Sequence, residues 1–219
     1  MDRYIFVYGD SHRMMFRKPT RFKNICAIDP PGTPVVFRSL PFGANSAYAL
    51  FREDAWNRKI IDQFCNKGQE LWFVFGEIDG RTYINSMHIE KNITVDKSID
   101  LVVKSYLDYV EVLIKDGYNI SIVSVVPSCR TEQIKPEARE PLFPPNSGTD
   151  QERKYIVETF NKKLKADCER REIVFIDIYE FLVDPEDGFN DRNRAQDGYH
   201  YKYIGDLVIE KLNLKRLKE

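Results

Sequence analysis

The chain is poor in histidine, has no excess of either charge, lacks a long apolar run and has no paired cysteines. Its 219 residues include three histidines, His12, His88 and His200. Few side chains can therefore exchange a proton near neutral pH, and each histidine carries weight. Lys plus Arg number 33 and Asp plus Glu 34, a formal net charge of −1. A protein devoted to nucleic acid needs a basic excess to neutralise phosphate, so no nucleic-acid partner is expected. No stretch approaches the roughly 18 consecutive apolar residues of a membrane span. The opening run Tyr4 to Tyr8 is too short for the apolar heart of a signal peptide and leads straight into Gly9-Asp10, so a cytoplasmic location is expected. Cys26, Cys65, Cys129 and Cys168 are scattered with no C-x-x-C spacing, which argues against a disulfide framework or a zinc site. Reduced thiols, no metal and no cofactor are expected.

What is present suits one soluble domain over residues 1–219. Apolar residues make up 42% of the chain and charged residues 31%, and a chain of this length buries roughly 70% of its unfolded surface without staples. Short apolar runs alternate with longer amphipathic stretches. Strands are predicted at Tyr4 to Tyr8, Pro34 to Phe37, Leu71 to Phe75, Asn119 to Val126 and Ile173 to Ile178. They are apolar throughout rather than alternating, the mark of strands covered on both faces.

Helical patterns lie between them. Ser46 to Lys67 holds one or two helices. Lys97 to Asp116 sets Ile99, Val102, Val103, Tyr106, Val110, Leu113 and Ile114 on one stripe, with Gly117 as a stop. Thr149 and Glu152 form a capping box ahead of Ile156, Phe160 and Leu164. A terminal helix is predicted over Tyr201 to Leu217. The proline-rich segment from Pro127 to Gly148 reads as a long loop. Strand–helix alternation implies right-handed crossovers and a parallel sheet between helical layers.

In such a sheet ligands bind beyond the carboxyl ends of the strands. The first strand is followed by Gly9-Asp10-Ser11-His12. The third is followed by Gly76-Glu77-Ile78-Asp79-Gly80-Arg81, and Asp197-Gly198-Tyr199-His200 precedes the terminal helix. A serine in a tight strand-to-helix turn can expose its hydroxyl. A histidine can take its proton, and a carboxylate three residues before that histidine can hold the imidazole in one tautomer.

Gly9-Asp10-Ser11-His12 and Asp197-Gly198-Tyr199-His200 resemble the first and last sequence blocks of the SGNH, or GDSL-type, hydrolases. These are esterases and acyl hydrolases with a three-layer α/β/α, flavodoxin-like fold and a parallel sheet of about five strands. The resemblance spans nearly the whole chain. It implies Ser11 as nucleophile, His200 as base and Asp197 as its orienting carboxylate. It further implies Gly43, in Pro41-Phe42-Gly43-Ala44-Asn45-Ser46, as a backbone donor to the oxyanion together with the Ser11 N–H. The third block departs from the family's Gly-x-Asn-Asp, because Ile78 stands where an asparagine would donate. Losing one oxyanion donor removes about 2.7–4 kcal/mol of transition-state stabilisation. Asn45 and Arg81 are the replacement donors at hand. The Gly-Glu-Ile-Asp-x-Arg string itself resembles a divergent SGNH-like group associated with polysaccharide and glycan biosynthesis.

Asp10, His12, Asp79 and Tyr199 are the expected substrate-binding residues. Asp79 with Arg81 could also be a buried ion pair bracing the loop, and His88 reads as structural. The expected activity is removal of small acyl groups, such as acetyl, from a carbohydrate ester. A near-zero net charge suits such a neutral substrate. The same triad would serve a sugar O-acyltransferase, and the loss of the asparagine would suit a glycan-binding protein that kept the fold without the reaction. The partner expected is a small-molecule or glycan ester.

Overall fold

The computed structural model describes residues 3–18, 35–41, 46–134, 147–190 and 200–214. Among them, β1 (Arg3–Gly9), β2 (Val35–Ser39), β3 (Glu70–Val74), β4 (Asn119–Val123) and β5 (Val174–Ile176) form one sheet in the order β2-β1-β3-β4-β5. Every pairing is parallel. Helices α1 (Asp54–Phe64), α2 (Ile84–Lys91), α3 (Val95–Lys115), α4 (Asp150–Arg170), α5 (Tyr179–Leu182) and α6 (Gly205–Lys211) cover it. This is a doubly wound, three-layer α/β/α sheet with the flavodoxin-like strand order. None of the described helices is long and apolar enough to cross a membrane.

The unbroken apolar runs have a direct physical reason. Successive side chains of a strand point to opposite faces, and here each face has its own core. Tyr8, Leu71, Phe73, Ile120 and Ile122 join the α3 and α4 stripes on one side. Ile5, Val7, Trp72, Val74 and Val123 meet Met15, Phe16, Leu182, Ile204 and Val208 on the other. Burying both faces stabilises each strand by about 25 cal/mol per Å² of apolar surface removed from water.

The helix boundaries follow their caps. The Thr94 hydroxyl accepts from Lys97 N, opening α3, and Gly117 follows its end with φ +96°. The predicted stripe is buried except at Ile114, which is 36% exposed. Thr149 and Glu152 form the predicted capping box, so α4 starts at Asp150. Three elements are shorter than predicted because their backbone is bonded elsewhere: β5 spans Val174–Ile176 rather than Ile173 to Ile178, with Ile178 N donating to Ser124 Oγ, and β4 and the terminal helix are the others. The β4 ladder ends at Val123, since the Asn161 side chain takes both Val125 N–H and Val125 C=O. The terminal helix begins at Gly205 rather than Tyr201, because Ile204 N donates to Met15 O at 2.8 Å and Tyr201 Oη reaches Pro127 O. Its predicted end at Leu217 lies outside the described residues.

Gly9 is the tightest point of the sheet. A Cβ there would lie 2.0 Å from Val74 O of the neighbouring strand. Gly9→Ala is therefore expected to destabilise the fold by about 2–3 kcal/mol, because β1 must move away from β3. Urea denaturation measures this, and a loss below about 1 kcal/mol would show that the strands accommodate the methyl group.

Candidate active site

The chain leaves β1 toward β2 on one side and returns to β3 on the other, so the loops after β1 and β3 part at the switch point of the sheet. The first of these loops is a 3₁₀ turn, Ser11–Phe16. Asp10 anchors it: its N–H donates to Val74 O at 3.1 Å, and its Oδ1 accepts from His12 N at 2.8 Å. Arg13 ties the same turn to the segment after β2, donating from Nε to Leu40 O at 2.7 Å and from Nη1 to Asp10 O at 3.0 Å. Asp10, His12 and Arg13 are all buried, whereas Ser11 between them is only half-buried. Ser11 thus sits half-buried on a turn held at both sides.

The two ends of the chain meet here. The His200 ring lies 5.4 Å from the His12 ring, centre to centre, at a 34° tilt, and Tyr201 abuts His12 at 6.2 Å. The third block arrives from β3. His12 Nδ1 lies 3.3 Å from Asp10 Oδ1 and 3.7 Å from Glu77 Oε2, and Glu77 Oε1 accepts from Arg81 Nε at 2.8 Å. Two carboxylates, an imidazole and a guanidinium therefore form one connected cluster, with His200 against its imidazole.

Three sequence expectations change in this arrangement. Asp79 does not pair with Arg81; the partner is Glu77. Side chains two apart on a helical turn point to opposite sides, whereas those four apart share a face. Asp79 instead turns the other way, fully buried, and accepts from Ala47 N at 2.7 Å and Tyr48 N at 3.2 Å. It straps the chain beyond β2. Asp10 and His12, also expected at the substrate, are 1% and 3% exposed and frame the turn. Gly43, Asn45, Asp197 and Tyr199 lie outside the described residues.

Glu77 was not singled out by sequence; its i,i+4 spacing to Arg81 was the available signal. Ile78, in the asparagine's place, is buried at the head of the π-helical turn Asp79–Tyr83. His88 bonds through Nδ1 to Ile93 O, closing the end of α2. Burial pushes the Cys65 thiol up to about 11 and Cys168 to about 12, so both stay protonated at neutral pH.

Burial also pushes the Asp79 carboxyl up to about 7, against the opposing pull of the Ala47 and Tyr48 N–H groups. An unfolded aspartate titrates near about 3.9. Between those values the folded protein binds more protons than the unfolded chain. The stability Asp79 contributes is thus full at low pH and is lost as pH rises through the folded pKa. The stability of wild type minus that of Asp79→Asn is expected to fall by on the order of 3 kcal/mol between about pH 4.5 and 7.5, then level off. Denaturant melts at a series of pH values test this, and a flat difference would remove the raised titration.

No family profile matches the sequence, and no curated protein does. Solved structures do match in fold. A lipase/acylhydrolase from Enterococcus faecalis superposes with a TM-score of 0.55 at 13% identity, covering 99% of this chain and 100% of that one. The acetyl xylan esterase Axe2 from Geobacillus stearothermophilus gives 0.54 at 13% identity, covering 99% and 97%. A GDSL-like lipase from Bacteroides thetaiotaomicron gives 0.52 at 14% identity, covering 97% and 85%. The chain has the SGNH hydrolase fold. In this SGNH-type sheet, Ser11 follows β1, Glu77 to Arg81 follow β3, and His200 precedes the last described helix. All three sites stand at the same switch point.

Proposed function

We propose that the protein is a serine acyl hydrolase that removes small acyl groups, acetyl in the first place, from a carbohydrate ester. The reading rests above all on one observation: His200 packs against His12, the neighbour of Ser11, although the two blocks come from opposite ends of the chain. In this reading Ser11 Oγ attacks the ester carbonyl as His200 takes its proton. The backbone N–H groups of Ser11 and Gly43 hold the oxyanion, with Asn45 and Arg81 as the side-chain donors nearest in sequence. The tetrahedral species collapses when His200 returns the proton to the leaving alcohol. Water then attacks the acyl-serine by the same route, and Asp197 keeps the imidazole oriented throughout. Asp10, Glu77 and Arg81 brace His12, which forms a wall for the base.

The sugar component is supported by the acetyl xylan esterase among the structures of the same fold, and by the near-zero net charge. A fluorophosphonate probe tests the reading directly. Labelling of a single site, mapped by mass spectrometry to the peptide carrying Ser11 and competed by an acetylated oligosaccharide, is the expected result. Absence of labelling at Ser11 would overturn it.

A further inference from the structure

We propose that the hollow between the turn after Ser46 and helix α2 is a sugar subsite that seats a pyranose ring of the glycan bearing the ester. Its position beside a reacting ester rests on the acyl-hydrolase reading; its ability to bind sugar does not. The hollow has a volume of about 290 Å³, and Ser46, Tyr48, Tyr83, Met87, Glu90 and Lys91 are among its walls. That is close to the lower end of small-molecule sites and fits one or two sugar rings.

The chemistry of the walls selects the occupant. Tyr48 and Tyr83 are 41% and 37% exposed, and Met87 is buried beneath them at 6%. Single exposed aromatics are ordinary on a surface, but here two line one hollow. Tyrosine offers an apolar face with a polar tip, which suits the C–H face of a pyranose and its hydroxyls. Lys91 Nζ stands over the Tyr48 ring, 5.6 Å from its centre.

The rim carries a carboxylate, Glu90, and two cations, Arg52 and Lys91. Neutral hydroxyls can donate to the first and accept from the others. A fatty acyl chain would strip water from these charges and return no hydrogen bond.

The hollow adjoins in sequence the segments that the proposed function uses. Ser46 directly follows the segment holding Gly43 and Asn45, and Tyr83 lies two residues beyond Arg81. Asp79 holds the Ala47 and Tyr48 backbone against the end of β3. The hollow therefore shares its frame with the segments proposed to hold the oxyanion.

Calorimetric titration of the wild-type chain, residues 1–219, with xylohexaose, cellohexaose and mannohexaose tests the proposal, since these carry no ester to be turned over. At least one is expected to bind with a Kd of about 1 mM or tighter. Tyr48→Ala and Tyr83→Ala should each weaken it roughly tenfold, whereas Tyr48→Phe and Tyr83→Phe, which keep the rings, should stay within about threefold. Tyr155→Ala, an exposed tyrosine on α4, should change nothing. No binding of any hexaose, or binding insensitive to both alanine variants, overturns the subsite. So does octanoate binding that the alanine variants abolish, which would make the hollow an acyl pocket. Hexaose binding without fluorophosphonate labelling would sink the acyl-hydrolase reading and leave the subsite standing; labelling without hexaose binding would do the reverse.

Discussion

Ser11→Ala is expected to lower kcat for nitrophenyl acetate by at least about 10⁴-fold. Alanine has no atom to form the acyl intermediate or to hand a proton to His200, so the route through two lower barriers closes. What remains is whatever the oxyanion donors and binding contribute to direct attack by water. The fold should hardly notice. Ser11 is half-buried, and the turn around it is held by Asp10 and Arg13 rather than by the serine. The thermal midpoint should stay within about 2 °C of wild type. Stopped-flow kinetics together with calorimetric melting separate the two effects. Equal rates in wild type and variant would remove Ser11 as nucleophile, and a large drop in melting point would recast it as a structural residue.

The largest stability effect is expected at the Glu77–Arg81 pair. Both side chains are nearly buried, at 10% and 7% exposure, and meet at 2.8 Å. Arg81→Met would remove the guanidinium from the buried Glu77 carboxylate, which lies near His12, and breaking a buried pair from one side costs about 3–5 kcal/mol. For a domain of this size that corresponds to a fall in Tm of roughly 10 °C. Glu77→Leu should be of similar size, since it removes the carboxylate from the buried arginine instead. The double variant Glu77→Leu/Arg81→Met should recover most of the loss, because replacing both charges by apolar side chains is often neutral. Urea midpoints for the four proteins complete the cycle. Additive losses would mean that the two charges do not depend on each other. Single losses below about 1 kcal/mol would mean that the pair behaves like a solvated surface bridge.

Much of the fold was legible because its signals are local. The strands at Tyr4 to Tyr8 and Leu71 to Phe75 show as apolar runs, and a run buried on both faces needs no knowledge of its neighbours. The α4 start was legible for the same reason: Thr149 and Glu152 cap each other within a single turn. Boundaries failed where a distant group competed for the backbone, as Asn161 does for Val125 and Met15 for Ile204. The sequence carries no local sign of those partners. His88 was read as structural from its place alone, and its bond to Ile93 O fits that role.

The candidate site divides along the same line. The sequence by itself determined the parallel α/β plan and marked Ser11 and His200 as the candidate nucleophile and base. Those follow from periodicity and from short spacings that any chain conformation must respect. Only the tertiary structure decided that His12 faces His200, that Glu77 rather than Asp79 takes Arg81, and that Asp79 straps the Ala47–Tyr48 backbone. It alone brought Tyr48 and Tyr83 to one hollow. The physical reason is direction. Spacing along the chain limits which residues can meet, but the rotation of a helical turn against the sheet sets which side chain points where. That rotation is fixed by the packing of two whole faces, not by the residues of the turn.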